Sequence, residues 1–214
     1  MSLDVHALRA AVDRTYGAGP LAHVSWPDPH PEHEVADEEY SRVTDPERYR
    51  IVGARADAWV ETLTSLGLAA AASVPVPTGW RTSADAATLL RPHAPGAQPL
   101  LLVLSDLDAV PGCVLTLGAG EPPVAVGHGA PDCGCDACDS GSEDLLRALD
   151  DEILAVVGGG FVHIEAADWS LQTTVDGWSA TGLGAHPTAH VDDLIARARA
   201  GDEVGHRLLL GAAW

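Results

Sequence analysis

Three of the four cysteines of this 214-residue chain stand close together, in the order Cys-Gly-Cys-Asp-Ala-Cys. Cys133 and Cys135 are two positions apart, so in an extended segment their side chains point to the same face. Cys135 and Cys138 have the Cys-x-x-Cys spacing with which two sulfurs commonly converge on one zinc ion in a tight turn. The spacing therefore predicts that all three sulfurs meet at one centre.

Carboxylates alternate with these thiols, at Asp132, Asp136 and Asp139, and the nearest arginine in the sequence is Arg147. Carboxylates oppose the ionisation of a nearby thiol, whereas a reactive low-pKa cysteine needs cations around it. A bound divalent cation would relieve this crowding of negative charge. We therefore expect the three cysteines to be metal ligands, with zinc as the first choice. Two alternatives stay open, namely structural thiols without a metal and thiols with redox or nucleophilic chemistry.

The fourth ligand of such a metal site is left open by the sequence. The candidates are Cys113, His128, His163, His186 and His190. A structural zinc ion usually has four protein ligands, whereas a catalytic zinc ion keeps one position open. If Cys113 completes the set, the site is structural, while a water molecule in the fourth position would leave room for hydrolysis.

The segment after the cluster predicts an amphipathic helix over residues 143–157. Ser140 and Glu143 have the spacing of a capping box, and apolar residues recur at helical spacing until three consecutive glycines follow. Cys138 then lies just outside the helix N-terminus. The helix dipole at that end favours a thiolate, which suits either a metal ligand or a nucleophile.

The remaining periodicity predicts an α+β fold. Two amphipathic helices, over residues 4–16 and from Thr44 to Gly67, form a helical N-terminal part, 1–68. Two more helices are predicted at 191–200 and 203–210. The length suits one α+β domain over residues 1–214, with the sheet, the cysteine loop and the other helices in 69–214.

Short apolar runs separated by prolines and glycines predict the strands. They lie at 69–76, around Thr82, and at 89–91, 100–104, 113–117, 161–165 and 170–175, with a glycine- and proline-rich loop at 118–132. The connections are often shorter than a crossover helix needs. We therefore expect a mostly antiparallel sheet of about five strands with helices on one face.

The charge of the chain excludes some classes of partner. It has 31 acidic residues against 12 basic ones, a formal net charge of -19. Nucleic acids would be repelled, and the arginines are too scattered to form a basic patch. We find no apolar run long enough to span a membrane and no secretory signal, so we expect a cytoplasmic protein without membrane contact. Reduced thiols are the rule in the cytosol, which disfavours a disulfide within the cluster.

Two segments carry a resemblance to a known family. The stretch Tyr-Ser-Arg-Val-Thr-Asp-Pro-Glu-Arg-Tyr at 40–49, together with the cysteine motif at 133–138 and the acidic helix after it, is similar to an uncharacterised family of small actinobacterial proteins. That family is designated only as a domain of unknown function. The similarity covers residues 38–157. The resemblance implies an actinobacterial, cytosolic source and supplies no activity and no catalytic residues.

These observations predict a non-enzymatic or regulatory cytosolic protein. Its three clustered cysteines would hold a structural zinc ion and fix the loop before the helix at 143–157. The alternative is an enzyme that uses the same centre, either as a metal-dependent hydrolase or as a thiol redox protein. A third possibility, an acidic module that binds a basic partner, rests on charge alone. The substrate and the partner stay unknown.

Overall fold

The structure is a computed structural model that describes residues 3–32, 34–80, 82–174, 177–182 and 188–214. The α-helices are α1 (Val5–Gly17), α2 (Arg50–Ser65), α3 (Ser142–Val157) and α4 (Thr188–Ala200). Short 3-10 helices span Asp37–Ser41, Pro46–Tyr49 and Asp136–Cys138. The strands are β1 (Ala69–Pro75), β2 (Ala86–Pro92), β3 (Leu100–Leu107), β4 (Val110–Ala119), β5 (Val124–Ala130), β6 (Val162–Glu165), β7 (Ser170–Thr174), β8 (Gly177–Thr181) and β9 (Arg207–Leu210).

These strands form two antiparallel sheets. The larger sheet has five strands in the order β1-β2-β3-β4-β5, so each strand pairs with its neighbour in sequence. The smaller sheet has four strands in the order β8-β7-β6-β9. The predicted α+β class, the antiparallel pairing and a sheet of five strands are confirmed, and the second sheet is an addition to the prediction.

The main hydrophobic core lies between one face of the larger sheet and the helices α1, α2 and α3. Trp59 and Leu63 of α2 are fully buried there, as are Leu149 and Ile153 of α3. The alternation of strand side chains supplies the other half of this core, because every second residue of β3 and β4 faces the helices. A separate cluster joins α4 to the smaller sheet through residues such as Ile164.

A buried ion pair ties α2 to α3 inside this core. The guanidinium of Arg55 donates to both oxygens of Asp150, from Nε at 2.8 Å and from NH2 at 2.5 Å. The indole Nε1 of Trp59 donates to the same carboxylate at 2.7 Å. Asp13 of α1 accepts a further bond from Arg55 at 2.6 Å. One carboxylate on α3 thus organises the contact between the helices.

Three sequence-based element assignments are wrong. The predicted loop at 118–132 contains strand β5, which pairs with β4 across a register shift, and its glycines hid the strand pattern. The predicted helix at 203–210 is instead strand β9, because its short apolar run pairs with β6. Thr82 lies outside the strands, and β2 begins at Ala86.

The start of α3 also differs from the prediction. The N-cap residue is Gly141, which has no side chain, rather than Ser140, so the capping box does not form. The backbone of Trp26, which is distant in the chain, instead forms hydrogen bonds with Ser142 at the start of the helix. Ser142 donates its N–H to the Trp26 carbonyl at 3.1 Å, and its hydroxyl accepts the Trp26 N–H at 3.1 Å.

None of the helices within the described residues combines the length and the apolar character that crossing a bilayer requires.

Candidate metal centre

The structure brings the three clustered sulfurs together after the end of β5. Cys133, Cys135 and Cys138 place their Sγ atoms within 4.8 Å of one another, and the Sγ atoms of Cys133 and Cys135 are 3.1 Å apart. Gly134 sits between them with a positive φ of 71°. A Cβ atom added there would lie 2.7 Å from the Leu107 side chain, so another residue would strain the backbone and require Leu107 to shift.

This spacing is close to what a thiolate-bound zinc ion needs. With zinc–sulfur bonds of about 2.3 Å in a tetrahedron, neighbouring sulfurs stand about 3.8 Å apart. One separation is 3.1 Å and none exceeds 4.8 Å, so small side-chain rotations would bring the sulfurs to the spacing of a bound ion. Cys133 and Cys138 are exposed and Cys135 is buried, which leaves the centre at the surface with one sulfur anchored in the protein. The cluster therefore could hold a metal ion.

No described side chain supplies a fourth ligand in this arrangement, since only the three cysteines form such a group over the described part of the chain. Cys113 packs under Tyr49, its thiol donates to the Pro46 carbonyl at 3.5 Å, and burial raises its pKa to about 11. Cys113 therefore does not join the three clustered cysteines in the described structure.

The histidine candidates lie elsewhere. His128 lines a cleft beside α3, His163 is buried in β6, and His190 belongs to α4. His186 falls outside the described residues. The sulfurs of the cluster instead border a small cavity.

That cavity has a volume of about 50 Å³ and is lined by Cys133, Cys138, Tyr49 and Asp139, among others. One water molecule occupies about 30 Å³ in the liquid, so the cavity has room for one. A solvent ligand could complete a three-sulfur site from this side.

Two arginines reach the cluster from the distant segment 42–48. Asp136 accepts from Arg42 Nε, from the Thr44 backbone N–H and from the Thr44 hydroxyl, each at 2.6 Å. Burial acts to raise the pKa of Asp136, but these hydrogen bonds from Thr44 and Arg42 outweigh it and lower the pKa to about 2. The carboxylate is therefore ionised and fully engaged at neutral pH.

Asp139 is held in a similar way. Its carboxylate accepts from the Trp26 indole at 2.9 Å, from Arg48 at 2.7 Å and from the Gly141 backbone N–H at 2.9 Å. The Arg48 guanidinium also stacks over the Trp26 ring, 4.7 Å from its centroid, and over the ring of Tyr49. The segment before α2 is thus clamped onto the turn before α3.

These contacts overturn one argument from the sequence. The expectation that a metal ion must relieve the crowded carboxylates assumed that no arginine was near, since Arg147 is the closest in sequence. Arg42 and Arg48 are 94 and 91 positions away from their aspartates in the chain, yet they form ion pairs with them. The case for a metal therefore rests on the positions of the sulfurs and no longer on uncompensated charge.

The thiols differ in their acidity. Hydrogen bonds from the Cys133 thiol, and then from the thiol of Cys138 and the backbone N–H groups of Ala137 and Cys138, lower the pKa of Cys135 despite its burial. The neighbouring sulfurs of Cys133 and Cys135 raise the pKa of Cys138 to about 12. The thiols of the cluster therefore act on one another, lowering the pKa of Cys135 and raising that of Cys138, and the effect of the helix dipole on Cys138 stays a prediction. A metal ion would have to displace the proton of Cys138 on binding.

A family model described as "Family of unknown function (DUF6226)" matches residues 12–214. The chain belongs to this family. The resemblance to an uncharacterised family is thereby confirmed, and the match extends on both sides of the predicted 38–157. None of the curated proteins and none of the solved structures matches this DUF6226 chain. Its actinobacterial source stays a prediction.

Sequence reasoning missed the residues that hold the cluster in this DUF6226 protein, namely Trp26, Arg42, Thr44 and Arg48. The segment around Thr44 was interpreted only as a helix start. One signal was available, because the stretch 40–49 and the cysteine motif together carried the family resemblance, and the structure shows these two segments in contact.

Proposed function

We propose that this DUF6226 protein is a non-enzymatic or regulatory cytosolic protein that binds a zinc ion through Cys133, Cys135 and Cys138. The observation that carries the proposal is the approach of the three Sγ atoms to within 4.8 Å of one another. Thiolates bind zinc in preference to harder cations, and a reducing cytosol keeps them available.

The metal ion would have a structural role. It would join the end of β5 to the turn before α3, and through Asp136 and Asp139 it would stabilise the docking of segment 42–48 on that turn. Both of these aspartates are engaged by arginines, so neither is free to serve as a general base beside the ion. This supports a structural role over a hydrolytic one.

The second candidate function is an enzyme at the same centre, and two observations favour it. The cavity of about 50 Å³ at the sulfurs has room for a metal-bound water molecule, as a hydrolase would need. The 3.1 Å separation of the Cys133 and Cys135 sulfurs, with the lowered pKa of Cys135, suits a thiol redox protein.

Metal analysis tests the proposal directly. Protein purified without chelator should contain close to one zinc ion per chain, and a chelator should lower its melting temperature. Cys135→Ser should abolish the bound zinc. Cys113→Ala is the matched control, since it also removes one thiol but lies outside the cluster, and it should keep the metal. Zinc-free protein that takes up none on titration, or equal metal content in both variants, would contradict the proposal.

Thiol reactivity separates the two candidate functions. A thiol-specific reagent at neutral pH should react slowly with metal-held thiolates and quickly once a chelator removes the ion. A redox centre should instead react quickly from the start and with no effect of chelator. Slow reaction of the exposed Cys133 and Cys138 under both conditions would contradict both candidates.

We also infer that the chain is one folding unit. The end of the chain joins the sheets, because Trp214 donates its N–H to Val157 at 3.0 Å and its indole N–H to Gln98 at 3.2 Å. Gln98 in turn donates to the Leu210 carbonyl at 2.9 Å. A single cooperative unfolding transition, seen alike by fluorescence and by circular dichroism, is expected, and two separated transitions would contradict it.

A further inference from the structure

A cleft of about 570 Å³ lies on the side of α3, between the middle of β5 and the hairpin of β7 and β8. Clefts of this size are typical of small-molecule sites. Its lining combines apolar side chains with hydroxyl groups of the hairpin, including Thr173 and Ser179, and with the indole of Trp178. The cleft is distinct from the cysteine cluster, since none of the three clustered cysteines lines it.

One carboxylate in this cleft forms no ion pair with an arginine among the described residues. Asp144 forms an ion pair with Arg147 at 2.8 Å, and Asp151 forms one with Arg9. Glu152 forms none with any described arginine, and its carboxylate is turned inward against the His128 backbone N–H. Burial raises the pKa of Glu152 and the charge of Asp132 adds to that rise, although the backbone N–H and the imidazole of His128 act to lower it. The neighbouring carboxylates of Asp144 and Asp151 are paired with arginines, whereas Glu152 has only the backbone N–H and the imidazole of His128 beside it.

The backbone makes room for this carboxylate. Gly127 has a positive φ of 63°, and a Cβ atom added there would overlap the carboxylate of Glu152. Any other residue at this position would therefore displace the acidic side chain from the floor of the cleft. The position of the Glu152 carboxylate thus depends on the absence of a side chain at Gly127.

The indole ring of Trp178 lines the same cleft as Glu152. Trp178 of β8 pairs with Thr173 of β7 and remains 37 % exposed, which is unusual for an indole in a chain whose other large apolar groups are mostly buried. The face of an indole ring attracts cations as well as apolar groups. A carboxylate and an exposed indole in one cleft favour a ligand with a positive charge attached to an apolar body.

We propose that this cleft binds a small organic cation, a primary amine or an amidine on an apolar body, with Glu152 as its anionic anchor and Trp178 as its wall. The ligand would form a charge-assisted hydrogen bond with the carboxylate. The hydroxyl group of Ser179 offers a further acceptor for the cationic head, whereas that of Thr173 is engaged by the backbone of Gly160 and Val162. The net charge of -19 raises the local concentration of such cations but does not select the site.

Ligand-observed NMR with defined probes tests this proposal. Phenethylamine and benzamidine should bind with dissociation constants on the order of 1 mM, as expected for fragments of this size. The uncharged 2-phenylethanol and the anionic phenylacetate should bind at least about tenfold more weakly. Amide shifts in α3 and in the β7–β8 hairpin should report the location. Failure of both cations to bind, or equal binding of 2-phenylethanol, would overturn the proposal.

Substitutions of residues in the cleft provide a second test of this proposal. Glu152→Gln keeps the shape of the side chain and should weaken phenethylamine binding by about tenfold or more. Glu143→Gln, an equal change of charge at an exposed position of the same helix outside the cleft, should leave binding unchanged. Trp178→Ala should weaken binding several-fold, whereas Trp178→Phe should retain most of it. Equal weakening by Glu152→Gln and Glu143→Gln would show that only the overall charge attracts the probe, and would overturn the proposal.

Discussion

The buried pair of Arg55 and Asp150 yields a sharp prediction for the substitution Asp150→Asn. Both side chains are only 5 % exposed, so the change leaves a guanidinium charge in the core without its main partner. Breaking a buried pair in this way costs about 3–5 kcal/mol. We expect a cost at the lower end of this range, because Asp13 still accepts one hydrogen bond from Arg55. The new amide oxygen can keep the bonds from the Trp59 indole and Arg55 Nε, while the amide nitrogen takes the place of the oxygen that accepted from Arg55 NH2.

A loss of about 3 kcal/mol is a large part of the 5–15 kcal/mol that stabilises a typical domain. In urea it should lower the unfolding midpoint by about 1–3 M, since m-values of about 1–3 kcal/mol/M apply. The slope itself should stay unchanged. Asp151→Asn is the matched control on the same helix, and because its pair with Arg9 is partly exposed it should cost less than about 1 kcal/mol.

A double-mutant cycle can refute this reasoning. Arg55→Met leaves Asp150 buried with only the Trp59 indole as a close donor, and should also cost about 3 kcal/mol. The variant with both substitutions removes both charges, and it should be more stable than the summed losses predict, by about 1–3 kcal/mol. Strictly additive losses, or a cost of Asp150→Asn no larger than that of Asp151→Asn, would show that the pair is not coupled in the folded protein.

Further predictions concern other contacts of the fold. Arg48→Met should destabilise the protein by about 1–3 kcal/mol in urea unfolding, because the buried Asp139 loses its ion pair. The control Arg50→Met removes an exposed ion pair and should change the stability little. Equal effects of the two substitutions would contradict this prediction. Burial holds the pKa of His163 below its ordinary 6.5, so the unfolded chain takes up the proton first and stability falls as the pH drops below about 6.5. His163→Phe should remove that part of the loss between about pH 7.5 and 5.5, and an unchanged slope would refute the assignment. Trp214→Ala should cost about 3–5 kcal/mol, since the side chain is 7 % exposed and packs in the main core, and a smaller loss than 1 kcal/mol would place it outside the folding unit.

Local patterns in the sequence predicted the helices of the main core well. The apolar residues of α2 and α3 recur at helical spacing because one face of each helix must be buried, and that periodicity is visible without knowledge of the fold. The sequence also predicts strands rich in leucine, such as β3, because a short apolar run between prolines and glycines is typical of a buried strand. The approach of the three sulfurs followed from their spacing, since residues so close in sequence have few ways to separate.

Short elements that depend on a partner were not predictable in this way. The run Arg207–Leu210 is too short to distinguish a helix from a strand, and it becomes a strand because β6 offers a free edge. The glycines of β5 conceal its alternation, and its pairing with β4 decides its conformation.

What the sequence by itself determined is a three-thiol cluster in an acidic α+β protein, because those features depend on composition and on neighbours along the chain. Only the tertiary structure decided how the charge around the cluster is balanced. Arg42 and Arg48 reach Asp136 and Asp139 across more than 90 positions, and no local pattern records a contact of that range. The same holds for the cleft around Glu152, because its carboxylate, its glycine and its indole come from three separate elements that only folding brings together.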